Sequence, residues 1–451
     1  MSGRPSPAHG ARIVQELLDG ESRPVPVSLR ATAEDDLGTA GIPRARYTSR
    51  AVHDLEVEKV WSRVWQMACR AEQIPDVGDS IVYEVAGFSL IVVRRGPDEI
   101  RAFHNSCLHR GTRLRTDAGP LSELRCPFHG FTWNLDGSFA GMPCPWDFPH
   151  VEADAFRLPE ARVGIWGGFV FVCLDAGAEP LESYLEILPE HFASWALEDR
   201  YLAAHVVRVL PCNWKVALEA FMESYHTVAV HPQLLTTSGD SQTEYDVYPG
   251  VRHVNRMITP VGIASEHVEG DVAEQDIVDA MFLTRDDPDK EVPEGTTARR
   301  VLADRTRRQL AEKTGGDYSG ITDSEALDAI EYFVFPNLMP WAGYTTPLTY
   351  RFRPNGGDHR SAVMDVMLLE PVPAGDERPA SARTRRLADG QSWAEAPELG
   401  YLGRILDQDT ATLALVQQGL EAWSAPEVTL ALYQENRIRH FHGTLGSYLE
   451  R

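Results

Sequence analysis

The sequence predicts an α+β chain of two domains, a small all-β domain followed by a larger domain of sheet and helices. Three observations carry this. The 451 residues exceed a typical single domain. Between about residues 78 and 175, short runs rich in β-branched residues alternate or stay apolar and are broken by Gly and Pro. From about 176 to 451 the composition shifts to long helical patterns interleaved with a few strands.

Taken in order, residues 1–45 are rich in Pro, Arg, Asp and Gly and read as an N-terminal arm, either packed on a neighbour or mobile. Between Ser49 and Cys69 the positions Val52, Leu55, Val60, Val64 and Met67, with Trp61 and Trp65, predict an amphipathic helix. Residues 46–77 are thus a helical segment expected to pack with the larger domain, ended by a turn at Pro75 to Gly78. SIVYEVAGFSLIVVRR and EIRAFHNSC read as strands and a hairpin, and GFTWNLDGSFAG and GIWGGFVFVCL complete the small domain, 78–175.

In the larger domain, ESYLEILPEHFASWAL is helical, YLAAHVVRVLP is strand-like and NWKVALEAFMESYHTVAVH gives a long helix signal. A charged, helix-prone stretch over 265–330 reads as an insertion. Strands return at PLTYRFR and SAVMDVMLLEPV, and two helical stretches, around Ile405 to Trp423 and near Glu435 to His442, finish the chain. There is no internal repeat.

The composition, 43% hydrophobic and 24% charged, is that of an ordinary globular protein. A formal net charge of -23 argues against nucleic acid or an anionic membrane as partner, since either demands a basic face. No apolar run reaches the roughly 18 residues of a membrane span, and MSGRPSPAHGARIV lacks a signal-peptide core, so a cytoplasmic location is expected. Six cysteines over this length are too sparse for a disulfide scaffold.

Two of them belong to a motif. In CLHRGTRLRTDAGPLSELRCPFHG, Cys107 and His109 are followed after sixteen residues by Cys126 and His129. Such a set could hold a zinc ion. Two features favour a 2Fe-2S cluster with two cysteines on one iron and two histidines on the other: the first pair is only two apart, and both loops end in Gly, where backbone must wrap closely around an inorganic core. His104 lies nearby but outside the pattern. The run HNSCLHRG with CPFHGFTWNLDGSF resembles the binding loops of the Rieske family.

A second constellation lies in NWKVALEAFMESYHTVAVHP. On a helix Glu219, Glu223 and His226 share a face. His231 would sit about 140° away from His226, but Pro232 biases it out of the α region, so the helix is expected to end or unwind there. In YLGRILDQDTATLALVQQGLEAW, Asp409 interrupts an apolar stripe, which is costly for an ionised carboxylate unless a cation pairs with it. Two histidines and one carboxylate form the facial triad of non-haem iron oxygenases. Asp407 points to the opposite side and is the weaker candidate.

After about residue 45 the whole chain resembles the α subunits of Rieske non-haem iron ring-hydroxylating oxygenases, through NWK, the Glu-x-Tyr-His spacing, His-Pro and DQDTATLALVQQGL. The resemblance implies a helix-grip (START-like) catalytic domain with an antiparallel sheet, a Rieske domain near the N-terminus, and cofactors of one 2Fe-2S Rieske cluster at Cys107, His109, Cys126 and His129 and one mononuclear Fe(II) at His226, His231 and Asp409. It implies a homotrimer, with or without a β subunit, in which a neighbour's cluster lies near the iron and Glu223 bridges them. Relatives commonly have Asp there, and many have Asn at the position of Ala220.

The implied activity is O2-dependent mono- or dihydroxylation of a hydrophobic, aromatic small molecule, the alternative being oxidative O- or N-demethylation. An electron carrier without oxygenase activity and a zinc-stabilised binding protein are the rival classes. No dinucleotide fingerprint follows a strand, so a separate NAD(P)H-dependent reductase, with or without a ferredoxin, is expected. Arg110, Arg113 and Arg115 beside the first loop suit docking of an acidic carrier, solvent or an adjacent subunit. FVFPNLMPWAGYTT is the candidate for an apolar pocket wall.

Overall fold

The structure, a computed structural model, describes residues 9–281, 290–375 and 377–450. The described residues form two compact units, those within 54–184 and 354–358, and those within 9–53, 185–353 and 359–450. The first unit therefore begins at Asp54, so most of the segment 46–77 clusters with the β-rich residues.

In the β-rich unit, β1 (Gln66–Arg70), β2 (Asp79–Val85), β3 (Phe88–Gly96), β4 (Glu99–His104), β8 (Glu160–Trp166) and β9 (Phe169–Cys173) make one sheet in the order β1-β9-β8-β4-β3-β2, with the two-residue strand Gly119–Pro120 beyond β2. A second sheet of β5 (Leu124–Arg125), β6 (Thr132–Trp133) and β7 (Phe139–Gly141) carries the second Cys-His loop between its first two strands. Their common core joins Ile91, Val93 and Phe103 to Leu124, Phe131 and Trp133, and it includes Cys107 and Cys126 themselves. The ligand-bearing loops are thus anchored in packed apolar side chains.

The helix expected from Ser49 to Cys69 stops early. After α2 (Arg50–Glu56) and a π turn at Val57–Trp61 the chain leaves helix, and Gln66–Arg70 becomes β1, buried along its whole length against β9. A strand buried on both faces reads as a continuous apolar run, which periodicity cannot tell from helix.

The larger unit is organised by an antiparallel sheet of β10 (Arg200–Leu210), β11 (Glu244–Asp246), β12 (Val254–Thr259), β13 (Ala329–Val334), β14 (Leu338–Ala342), β15 (Leu348–Asn355) and β16 (Asp358–Pro371), ordered β11-β12-β13-β14-β15-β16-β10 with Arg385–Arg386 at the edge. Neighbours from β11 to β15 pair in chain order, and β10 crosses over to pair with β16 along its length. Of the helices α3 (Trp214–Glu219), α4 (Thr227–Val230), α8 (Leu402–Ala422) and α9 (Asn436–Leu449), α9 packs on β11 and β12, and α3 and α4 pack on α8.

The N-terminal arm is more ordered than its composition suggests, and the stretch 265–330 carries the helices expected of it. The arm holds α1 (His9–Asp19), which buries Val14 and Leu18, and the fully buried Arg256 guanidinium donates to the carbonyls of Ser28 and Ala31. The stretch 265–330 contains α5 (Glu274–Met281), α6 (Ala298–Thr314) and α7 (Asp323–Leu327), joined by a small core of Ile277, Val278, Leu302, Ala326 and Leu327; 282–289 lie outside the described residues. No helix among the described residues is long and apolar enough to cross a membrane.

Candidate functional site

The two Cys-His loops are built alike. In the first, the Cys107 N–H donates to Thr112 O and the Gly111 N–H returns to Cys107 O, both at 2.8 Å. In the second, the Cys126 N–H donates to Phe131 O at 2.8 Å and the Gly130 N–H returns to Cys126 O at 3.0 Å. Gly111 and Gly130 close these turns with φ of 72° and 75°, a left-handed conformation in which an L side chain is strained.

Asn105 fixes the entry to the first loop. Its Oδ1 accepts from the N–H groups of Leu114 and Arg115, and its Nδ2 donates to Ser89 Oγ and Arg115 O. Sequence reasoning missed this residue; an Asn at a strand end beside a ligand loop was the available signal.

Cys107 and Cys126 are both free thiols and lie in mutual contact. Burial raises Cys107, opposed by the N–H groups of His109 and Arg110 aimed at its sulfur. At Cys126 burial acts the same way, but the N–H groups of Phe128 and His129 outweigh it and lower the thiol. Amides converging on sulfur suit thiolates bound to iron. The His109 and His129 rings stand 4.8 Å apart, His109 stacks on Phe131 at 4.7 Å, and its buried Nδ1 has no hydrogen-bond partner. Two paired thiols and two adjacent imidazoles, one with an orphaned nitrogen, fit a Rieske cluster.

Of the expected basic patch, Arg113 pairs with Glu84 at 2.6 Å and Arg110 lies over the Phe128 ring. His104 sits at the end of β4, half-buried, its backbone tied to Pro159.

In the larger unit, NWKVALEAFMESYHTVAVH is not one helix. Asn213 caps α3 by accepting from the Lys215 N–H, and its own N–H donates to Gln417 of α8, so the two helices are joined at this point. Helix α3 ends at Glu219 and α4 begins after His226. Phe221 and Met222 N–H still donate to the carbonyls of Leu218 and Glu219, but beyond them side chains take over: the Ser224 N–H donates to the Tyr245 hydroxyl and the His226 N–H to Glu223 Oε2. Residue spacing could not show this break because one of its acceptors, Tyr245, lies on another element. His231 then adopts φ -125° and ψ 51°, outside the α region as Pro232 requires.

Three side chains converge as a result. The candidate ligand atoms of His226, His231 and Asp409 all lie within 4.8 Å of one another. Asp409 Oδ1 is 2.6 Å from His231 Nε2 and 3.5 Å from His226 Nε2. Burial works against ionising Asp409, yet hydrogen bonds from the two imidazoles lower it below the ordinary carboxylate range. Each ring is held by its far nitrogen: His226 Nδ1 by Glu223 Oε1 at 2.9 Å, and His231 Nδ1 by Gln408 Oε1 at 3.0 Å, itself held by Gln233. Such partners fix the tautomer and leave Nε2 for a metal, and the open set of two imidazoles and one carboxylate fits ferrous iron. Asp407 faces elsewhere and accepts from the N–H groups of Trp393 and Ala394.

Beside this triad is an aromatic cluster in which Phe221 meets Tyr350 at 4.8 Å and Phe352 at 5.3 Å, and Trp341 meets Tyr350 at 6.3 Å. Burial first, and then the charges of Asp409 and Glu331, push the Tyr350 hydroxyl well up. The Trp341 indole donates to Glu331, whose other oxygen pairs with Arg437. Trp341 came from the expected wall segment, whereas Phe221, Tyr350 and Phe352 did not.

The sequence profile described as Rieske [2Fe-2S] domain matches residues 64–152. The glycine betaine monooxygenase oxygenase subunit of Chromohalobacter salexigens is 32% identical over 53% of this chain and 54% of its own length. The biphenyl 2,3-dioxygenase subunit alpha of Rhodococcus jostii is 31% identical over 40% and 41%. The chain thus spans about half the length or less of these curated relatives. At the level of fold, the crystal structure of a quaternary ammonium Rieske monooxygenase with L-carnitine matches with a TM-score of 0.64 at 18% identity, covering 92% of this chain and 96% of that one. The profile described as ring hydroxylating alpha subunit (catalytic domain) matches residues 190–451, more than half of the chain, which therefore belongs to the ring-hydroxylating oxygenase α-subunit family.

Proposed function

We propose that the chain is the catalytic subunit of a Rieske oxygenase. One observation carries this reading: a chain with a Cys-x-His and Cys-x-x-His loop pair also brings His226, His231 and Asp409 to within 4.8 Å. Cys107, Cys126, His109 and His129 would hold the cluster, and His226, His231 and Asp409 the mononuclear iron. When bound, the two groups supply electrons and the reducing chemistry toward O2. Glu223 and Gln408 aim the two imidazoles, and Phe221, Tyr350 and Phe352 keep bulk water from the reacting face.

The substrate reading is oxidative N-demethylation of a quaternary ammonium compound. Glycine betaine and carnitine are named for the relatives, and aromatic faces attract an N-methylated cation. The same rings would stack on an aromatic substrate, which keeps ring hydroxylation as the second reading. Electrons would come from a separate reductase, and Glu223 would join the iron to the cluster of a neighbouring subunit in a homotrimer.

The test is to supply iron-loaded protein with a surrogate reductase, NADH and O2. Formaldehyde from glycine betaine or carnitine supports N-demethylation, and a hydroxylated product from biphenyl or naphthalene supports the second reading. Failure of both with full iron content would count against the oxygenase reading.

A further inference from the structure

A cavity of about 240 Å³ lies between α3 and α8. At about 30 Å³ per liquid water it has room for several waters. Its wall includes Tyr47, Glu219, Ala220, Glu223, Leu413 and Glu435. The wall thus includes Glu223, which holds the His226 ring, and Leu413, one turn along α8 from Asp409. The small Ala220 side chain leaves space open on the α3 side.

Glu219, on the same wall, sits in a closed set of hydrogen bonds. The Tyr47 hydroxyl donates to Glu219 Oε2 at 2.9 Å, and His442 Nε2 is 2.7 Å from Glu219 Oε1. An Arg46 N–H meets His442 Nδ1 at 2.9 Å, so this nitrogen is the acceptor and the hydrogen lies on Nε2, facing Glu219. The ionised carboxyl therefore receives hydrogens from both partners, and when it gains a proton the Tyr47 hydroxyl can rotate to accept it, so the carboxyl is the member of the set able to gain or lose a proton.

A two-electron oxygenase turnover consumes protons, whichever substrate it takes. In N-demethylation, O2, two electrons from the reductase and two protons put one oxygen atom into a C–H bond and release the other as water. The resulting hydroxymethyl ammonium then splits into amine, formaldehyde and one proton. In dihydroxylation both oxygen atoms enter the substrate and each takes one proton.

We infer that this cavity is the proton entry to the iron site and that Glu219, set between Tyr47 and His442, is its proton-loading group; the inference rests on the oxygenase reading. Burial raises the Glu219 carboxyl to about 8 against the pull of Tyr47, Lys215 and Arg46, so it is protonated at neutral pH. Glu435, also on the wall, is raised by burial, by Glu223 and by Glu219 itself. Glu219 acts at a distance from the reacting atoms, through the water that the cavity admits.

Infrared spectroscopy of the protein with both metals in place gives a readout apart from activity. A protonated-carboxyl band should titrate near pH 8 and be absent in Glu219→Gln. Tyr47→Phe, which removes one donor and leaves the carboxyl in place, should shift that band to a different frequency. Turnover of the parent should fall above pH 8, and Glu219→Gln should lower product formed per NADH by about 100-fold and remove that fall. Absence of the band in the parent, or a Glu219→Gln variant with undiminished product and an unchanged pH profile, would overturn the inference. A parent that binds both metals and yields no product counts against the oxygenase reading, and the infrared titration then decides whether Glu219 stores a proton.

Discussion

Glu223 holds His226 twice, accepting its backbone N–H with Oε2 and its ring Nδ1–H with Oε1, both at 2.9 Å. One carboxylate thereby caps the start of α4 and aims the Nε2 of a candidate iron ligand. Glu223→Gln should keep one hydrogen bond and both metals, while product formation falls by about 100-fold. Iron analysis with product per NADH checks this, and undiminished product would remove Glu223 from any bridging role.

The two metal sites should be separable by mutation. Loaded protein should carry about three irons per chain. His231→Ala should leave about two, with the Rieske spectrum intact, and Cys107→Ser should lose the cluster while keeping the mononuclear iron. Elemental analysis with electron paramagnetic resonance reads both outcomes. Zinc in place of iron at the Cys-His loops would contradict the cluster assignment.

Stability should depend on Asp365, which is buried between Arg351, Arg353 and His205 at 2.7 to 3.0 Å. Burial opposes its ionisation, but the two guanidiniums hold it well below the usual carboxylate range. Asp365→Asn removes the charge that Asp365 gives two buried cations and should cost about 3–5 kcal/mol in denaturant unfolding. A loss below 1 kcal/mol, about that of an exposed pair, would show that the cations find other partners.

Acid should weaken the fold through His191, buried against Tyr332 and lowered to about 4 by burial and by the Arg256 charge. Between about pH 6.5 and 4 the unfolded chain binds a proton here that the folded chain refuses. The contribution is therefore complete above 6.5 and is lost as pH falls through 4, about 3 kcal/mol in all. A His191→Gln variant should lack this component, and unfolding curves from pH 7 to 4 measure the difference.

The candidate site of this chain was legible where its signal is local. Cys107, His109, Cys126 and His129 lie on two short loops, and Pro232 marks the end of α4 from its own covalent restriction. Asp409 was visible as a carboxylate in an apolar stripe. What escaped was set by distant partners. The break after Glu219 depends on Tyr245, and the aim of His231 depends on Gln408, 177 residues away. Strand β1 was hidden by its complete burial, and the Tyr47–Glu219–His442 set joins three separate parts of the sequence. Periodicity reports which face of an element is apolar and is silent on which polar groups meet across elements.

Gln408 and Asp409 are consecutive on α8, one orienting the His231 ring and the other supplying the carboxylate. The two adjustments are therefore mechanically linked. A small slide of α8 along its own axis would alter the carboxylate distance and the tilt of the imidazole together, so this helix works as a single jaw whose setting fixes the bite of the site. Substitutions far along α8 that move it by a fraction of an ångström would retune both contacts at once, without changing any residue at the triad.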